Sequence, residues 1–125
     1  MATEVIVTAE FETWWDGLDV EEQKSVAVVV AMLEERGATL PFPYSSGITG
    51  STKLRELRIQ HTGRPYRVLY AFDPKRNAIL LLGGNKTGTG RWYDTHIPKA
   101  EKLLAAYLRE RERPSGIAGE DDDDS

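Results

Sequence analysis

The amino-acid sequence predicts an α+β fold: an N-terminal helical hairpin packed on a small antiparallel β-sheet, with a C-terminal helix. Three observations carry that prediction. Apolar residues recur at helical spacing between residues 10 and 36, three strand-like runs follow one another between 53 and 84, and a second helical stripe lies between 98 and 108. Helices segregated in sequence from a run of strands belong to the α+β class. A chain of 125 residues is one domain by length and buries a core without staples.

The elements follow in order. Residues 4–8 alternate and include β-branched Val5, Ile6 and Val7, which predicts a short strand. Phe11, Trp14, Trp15 and Leu18 stand at helical spacing and predict a first helix over 10–18. Asp19 followed three residues later by Glu22 has the form of a capping box and opens a second helix. Its apolar stripe is Val26, Val29, Val30 and Leu33, and Gly37 ends it. Residues 38–52 are punctuated by Pro41, Pro43, Gly47 and Gly50 and read as loop. Strands over 53–60, 66–72 and 78–84 are joined by turns at 61–65 and 73–77, the pattern of an antiparallel meander. The last of these, AILLLGG, is apolar throughout and suits a strand covered on both faces. Residues 86–93 read as a glycine-rich loop, and Pro98 is placed in the first turn of the final helix. That helix offers Ala100, Leu103, Leu104, Tyr107 and Leu108 as its apolar face. From Arg113 the sequence becomes RPSGIAGEDDDDS, which cannot bury enough apolar surface to order itself. The expected organisation is therefore a folded domain over 1–112 and a disordered acidic tail over 113–125.

Composition excludes several functions. With no cysteine there are no disulfides or thiolate metal sites, and two isolated histidines, His61 and His96, do not make a metal centre. The start of the chain lacks the basic and apolar regions of a signal peptide, and no apolar run reaches membrane-spanning length. A soluble cytoplasmic protein with no membrane partner is expected. The net charge of −4 is unevenly distributed. Residues 53–92 hold nine basic side chains against two acidic ones, a net of +7, and the remainder carries −11. A local positive field attracts a phosphate backbone whatever the total charge. The plainer alternative is a strand-rich surface with solvated cations.

The chemistry must come from the meander. In LRELR, residues 54–58, Glu56 and Arg58 share one strand face, while Lys53 and Arg55 share the other. In-register pairing brings Arg67 of PYRVLYAF across from one of these arginines. Two readings remain open: a structural ion pair with Glu56, or a guanidinium clamp for phosphate. Residues 83–93, GGNKTGTGRWY, lack the spacing of a nucleotide-binding P-loop because Lys86 and Thr87 precede Gly88 and Gly90. What is left is a basic loop bearing Lys86, Arg91, Trp92 and Tyr93, a combination suited to base stacking and phosphate neutralisation. Trp92 is read as a plug for the core and Tyr93 as a functional group. Asp94 and His96 suggest an acid–base pair, but a histidine just before a helix more often serves as a cap or surface group. Of the adjacent Trp14 and Trp15, one faces the core and the other is a candidate partner contact.

LRELR, PYRVLYAFDPKR, ILLLGGNK and RWY…IPKAEKL, in that order and at that spacing, resemble the RelE/ParE toxin superfamily. The resemblance spans residues 5–108 and is strongest to the HigB-like, phage-derived branch. It implies a RelE-like fold and the toxin of a type II toxin–antitoxin system, an mRNA interferase. Such an endoribonuclease acts on mRNA at the ribosome, needs no cofactor or metal, and is neutralised in a hetero-oligomer by a cognate antitoxin, often of helix-turn-helix type. Carried over residue by residue, the family's basic strand positions match Arg58 and Arg67. Its basic residue after the last strand matches Lys86, and its late aromatic position matches Trp92 or Tyr93. Arg58, Arg67, Lys86 and Tyr93 are accordingly the expected catalytic residues, with Lys53, Arg55, Arg64, Arg76, Arg91 and Trp92 expected to bind RNA. The lysine pair of some RelE proteins has no counterpart beyond Lys53 and Arg55, and Asp94 and His96 correspond only loosely to late positions of some HigB proteins. The general acid and base are left unassigned. The same fold also serves ParE-like gyrase poisons and inactive antitoxin-binding modules.

Overall fold

The structure, a computed structural model, describes residues 2–87 and 91–112. The acidic tail expected over 113–125 lies outside them, as do residues 88–90 of the glycine-rich segment. The α+β architecture is as the sequence predicts. Strand β1 (Val5–Val7) leads into helices α1 (Ala9–Asp16) and α2 (Val20–Arg36), with a short 3-10 turn at Gly37–Thr39. Strands β2 (Ser45–Gly47), β3 (Arg55–His61), β4 (Arg64–Phe72) and β5 (Ala78–Asn85) precede helix α3 (Arg91–Glu112).

Local chemistry explains the helical hairpin. Thr8 caps α1 by accepting the Phe11 amide, and its hydroxyl donates to the Leu81 carbonyl, 2.7 Å away. Asp19 and Glu22 form the full capping box at the start of α2, each side chain accepting the other's backbone N–H at 2.8 Å. The second carboxylate oxygen of Glu22 accepts the Tyr66 hydroxyl, so the cap also ties α2 to the sheet. That bond holds the Glu22 carboxyl below its ordinary pKa and the Tyr66 phenol above its own. Gly37 ends α2 at φ 57°, a left-handed conformation that a side chain would strain.

Among the described residues there is one five-stranded sheet, in the order β1-β5-β4-β3-β2. The meander β3-β4-β5 is antiparallel as expected, but β1 pairs with β5 in parallel, so the sheet is mixed. β2 is a further strand within the segment read as loop, and it pairs with β3. The first hairpin is tighter than expected: Thr62 and Gly63, both at positive φ, join strands that already pair His61 with Arg64. That is the two-residue turn whose twist matches the strands.

The sheet separates two apolar cores. On one face Leu57, Ile59, Val68, Tyr70 and Leu80 pack with Phe11, Val26, Val29 and Leu33 of the helical hairpin. On the other, Leu69, Ala71, Ile79 and Leu81 pack with Ala100 and Leu104 of α3. Both Trp14 and Trp15 lean partly buried on the first core, so neither is wholly given to solvent. Helix α3 begins at Arg91, well before the predicted start, so Pro98 lies inside it. Pro98 brings no N–H to the helical ladder, but its fixed φ is compatible with the helix.

Candidate active site

A register shift in β5 builds the site. Leu69 pairs with Leu82, yet its neighbour Tyr70 pairs with Leu80, leaving Leu81 as an extra residue. This bulge reverses which side chains of the strand's end face α3. Gly83 falls opposite Val68 on the hairpin face, and Gly84 falls opposite Arg67 on the α3 face. Each glycine makes room for a tryptophan. A Cβ on Gly83 would collide with the Trp14 indole, and one on Gly84 would stand 2.6 Å from Trp92 Nε1. Trp92 therefore docks on β5 and fixes the start of α3, which places the adjacent Tyr93 over the sheet.

Under Tyr93 lies a charged cluster. Arg58 and Arg67 are direct cross-strand neighbours, a repulsive arrangement unless an anion intervenes. Glu56 is that anion. Its Oε2 lies 3.1 Å from Arg58 Nη1, and its Oε1 lies 3.6 Å from Arg67 Nε and accepts the Tyr93 hydroxyl at 2.5 Å. Glu56 and Arg67 are buried, whereas the Arg58 side chain remains 31% exposed. Arg67 Nη1 donates to the Tyr66 carbonyl at 3.1 Å, but among the described residues its Nε reaches no acceptor at hydrogen-bonding distance. Burial pushes the Tyr93 phenol above its ordinary pKa, the Glu56 hydrogen bond and charge add to this, and Arg67 opposes it. The Lys86 ammonium stands 5.4 Å from the Tyr93 ring centre. An open cleft of about 270 Å³ lies here, lined by Gly47, Ile48, Thr49, Glu56, Tyr93 and Ile97.

The four expected catalytic residues, Arg58, Arg67, Lys86 and Tyr93, thus share one site. Of the two readings of the arginines, the ion pair with Glu56 is present, and Glu56 is the hub of the cluster. Sequence reasoning cast Glu56 only as a salt-bridge partner. The signal was its place between Arg55 and Arg58 in LRELR, but its bond to Tyr93 depends on where α3 starts.

The expected RNA-binding residues do not form one stripe. Arg91 and Trp92 adjoin the cluster at the start of α3. Arg64 sits at the hairpin tip, its guanidinium 5.8 Å from the Tyr66 ring centre. Arg55 points to the opposite face and donates to Ser45 Oγ at 3.1 and 3.2 Å. Lys53 precedes β3 and Arg76 occupies the β4–β5 turn, both at the far end of the meander. Trp92 is half-buried against the second core, as a core plug should be. It also stacks on His96, with ring centres 4.1 Å apart and planes 11° from parallel. His96 lies within α3 rather than ahead of it, and its Nδ1 is 2.7 Å from the Trp92 carbonyl. Asp94 is exposed in the same turn, and residues two apart on a helix do not face each other, so these two are not an acid–base pair. Among the described residues, no three His, Asp or Glu side chains converge as a metal site would require.

The profile of the phage-derived Gp49-like protein family matches residues 13–105, which include every member of this cluster. The chain belongs to that family. A protein of Mycobacterium tuberculosis named "Putative toxin HigB3" is 39% identical over 105 residues, covering 83% of this chain and 92% of its own length. A second from that organism, "Putative toxin HigB2", is 39% identical over 112 residues, and the match spans 56% of its length. Among solved structures, a mutant of the Escherichia coli toxin RelE in the free state superposes with a TM-score of 0.55 at 10% identity. The superposition covers 88% of this chain and 98% of the RelE chain. At that identity the likeness establishes the RelE-like fold. The relatives make this member of the Gp49-like family HigB-like.

Proposed function

We propose that this chain is the toxin of a type II toxin–antitoxin pair, an endoribonuclease that cuts mRNA on the ribosome in the cytoplasm and is silenced by a cognate antitoxin. The observation that carries this reading is the Tyr93–Glu56 pair at 2.5 Å, bracketed by Arg58, Arg67 and Lys86 beside an open cleft. Family membership supports the class.

The chemistry suits self-cleavage of RNA. A ribose 2′-oxygen attacks the adjacent phosphorus, the bond to the 5′-oxygen breaks, and a 2′,3′-cyclic phosphate and a 5′-hydroxyl result. The nucleophile is the RNA's own hydroxyl, so no metal is needed to generate one. Arg58, which stays partly exposed, and Lys86, beside the Tyr93 ring, neutralise the charge that develops on phosphorus. Arg67, buried below them, holds the Glu56 side chain in place. The 2′-proton passes to Glu56, directly or through the Tyr93 hydroxyl, which lies within proton-transfer distance of the carboxylate, and the departing 5′-oxygen takes its proton from water. With modest acid–base groups, alignment of the mRNA by the ribosome supplies much of the rate.

The test is induction in a bacterial host without antitoxin, with mapping of mRNA 5′ ends. Growth arrest with cuts confined to translated mRNA is expected, and Arg58→Ala or Lys86→Ala should abolish the cuts while the protein stays folded. Arrest with intact mRNA and broken DNA would instead assign the chain to gyrase poisoning. No arrest at all would leave an antitoxin-binding module.

A further inference from the structure

The β1 edge of the sheet, two strands away from β4, carries a second feature. Among the described residues β1 is an edge strand, paired with β5 on one side only. The Glu4 carbonyl and the Thr8 amide bond to Ala78 and Leu80 of β5, so in a parallel ladder the N–H and C=O groups of Val5 and Val7 point away from the sheet. Sheet edges are commonly protected by charge, proline or a covering segment. The opposite edge, β2, is the polar run Ser45–Gly47, but β1 is Val-Ile-Val with Val7 40% exposed. Beside β1, a groove of about 330 Å³ opens between α1 and α2. Its apolar walls are Val5, Val7, Phe11, Trp15, Ala27 and Val30, and it is rimmed by Glu12 and Glu34.

Charge selects the occupant. The first 36 residues carry nine carboxylates against two basic side chains, a net of −7. A second copy of this chain would set two such surfaces against each other, and the chain's own tail, with its run from Glu120 to Asp124, is of the same sign. We infer that the β1 edge and its groove receive an extended segment of a partner protein, apolar at alternate positions and bearing Lys or Arg between them. Such a segment extends the sheet through the backbone of Val5 and Val7, places its apolar side chains in the groove, and sets cations against Glu12 and Glu34. On the reading proposed above, that partner is the antitoxin. It binds this surface on the other side of the sheet from the charged cluster, leaving another part of its chain to block the cleft.

The probe is a nine-residue synthetic peptide alternating Val or Ile with Lys or Arg, added to the full chain and followed by amide NMR. Protection of the Val5 and Val7 amides is expected, with binding weakened about tenfold at low salt by the double change Glu12→Lys, Glu34→Lys. A version of the peptide with proline at its central positions cannot add a strand and should not bind. Equal binding of the proline peptide, or perturbation centred on other carboxylates such as Asp16 and Glu21, would overturn the inference in favour of loose charge attraction. Concentration-dependent dimerisation through β1, read by sedimentation, would overturn it in favour of self-association. Peptide binding does not depend on RNA cleavage. A chain that cuts no mRNA therefore still tests this surface, and failure here leaves the nuclease reading standing.

Discussion

Glu56→Gln removes one charge from the cluster and almost no volume. In the native protein the Glu56 and Arg67 side chains are 5% and 7% exposed, so the change strands a buried guanidinium. Breaking a buried pair by removing one partner costs about 3–5 kcal/mol. Two features place the expected cost at the lower end. The Arg67–Glu56 contact is 3.6 Å with no aligned hydrogen bond, and glutamine keeps an oxygen to accept the Tyr93 hydroxyl. The half-exposed Arg58 contact adds less than about 1 kcal/mol. A loss of roughly 3 kcal/mol at roughly 4 °C per kcal/mol lowers Tm by roughly 12 °C for a domain of this size. Calorimetry measures that, and the double change Glu56→Gln, Arg67→Met should recover more than half of it, because the stranded charge is gone. NMR of the tyrosine rings gives a second readout. With the Glu56 charge removed and that of Arg67 retained, the Tyr93 pKa must fall relative to the native protein. A Tm within about 2 °C of the native value, or a double variant no more stable than the single, would refute the account of Arg67 as a buried cation held by Glu56.

Other predictions follow from the same geometry. Gly83→Ala and Gly84→Ala should each cost about 1–3 kcal/mol by overpacking, but only Gly84→Ala, which displaces Trp92 and with it Tyr93, should also lower cleavage per folded molecule. Equal loss of activity in both would break the link between Trp92 docking and the site. Asp73 is buried, and although burial raises its pKa, hydrogen bonds from Asn77, Lys75 and Tyr107 bring it below the ordinary 3.8. Its stabilisation is therefore present above about pH 4 and lost as pH falls through the lower folded value. Asp73→Ala should be less stable at pH 7, with a shallower decline of Tm in acid, and an unchanged acid limb would contradict this. Deleting everything after Arg113 should tighten ribosome binding at low salt only, if the acidic tail screens the basic site. Identical binding at both salts would leave the tail without that role.

Legibility in the sequence followed the range of the interaction. The capping box at Asp19 and Glu22, the end of α2 at Gly37 and the meander are written in residues a few positions apart, and each was readable. The parallel pairing of β1 with β5 was not, because Val5 and Ala78 carry no local sign of each other. β2 was hidden because Ser45–Gly47 has no strand-like composition and is ordered by Leu57, Glu56 and Arg55 opposite it. Pro98 misdirected the start of α3, since it marks the first turn of many helices but is here tolerated within one. For the site, basic residues at alternate positions pointed to Arg58 and Arg67. The bulge at Leu81, which turns Gly84 toward α3 and so seats Trp92 and Tyr93, has no signature in AILLLGG.

The bond from Thr8 to Leu81 spans 73 positions of the chain. During synthesis at roughly 5–20 residues per second, the first strand and the cap of the first helix wait roughly 4–15 s for the strand that completes them. Tyr93, which closes the charged cluster, is made later still. A ribosome that stalls or releases the chain before that point yields a polypeptide with an open edge and no assembled cleft. The order of synthesis therefore delays any activity of this site until Tyr93 has been made and has folded back onto Glu56.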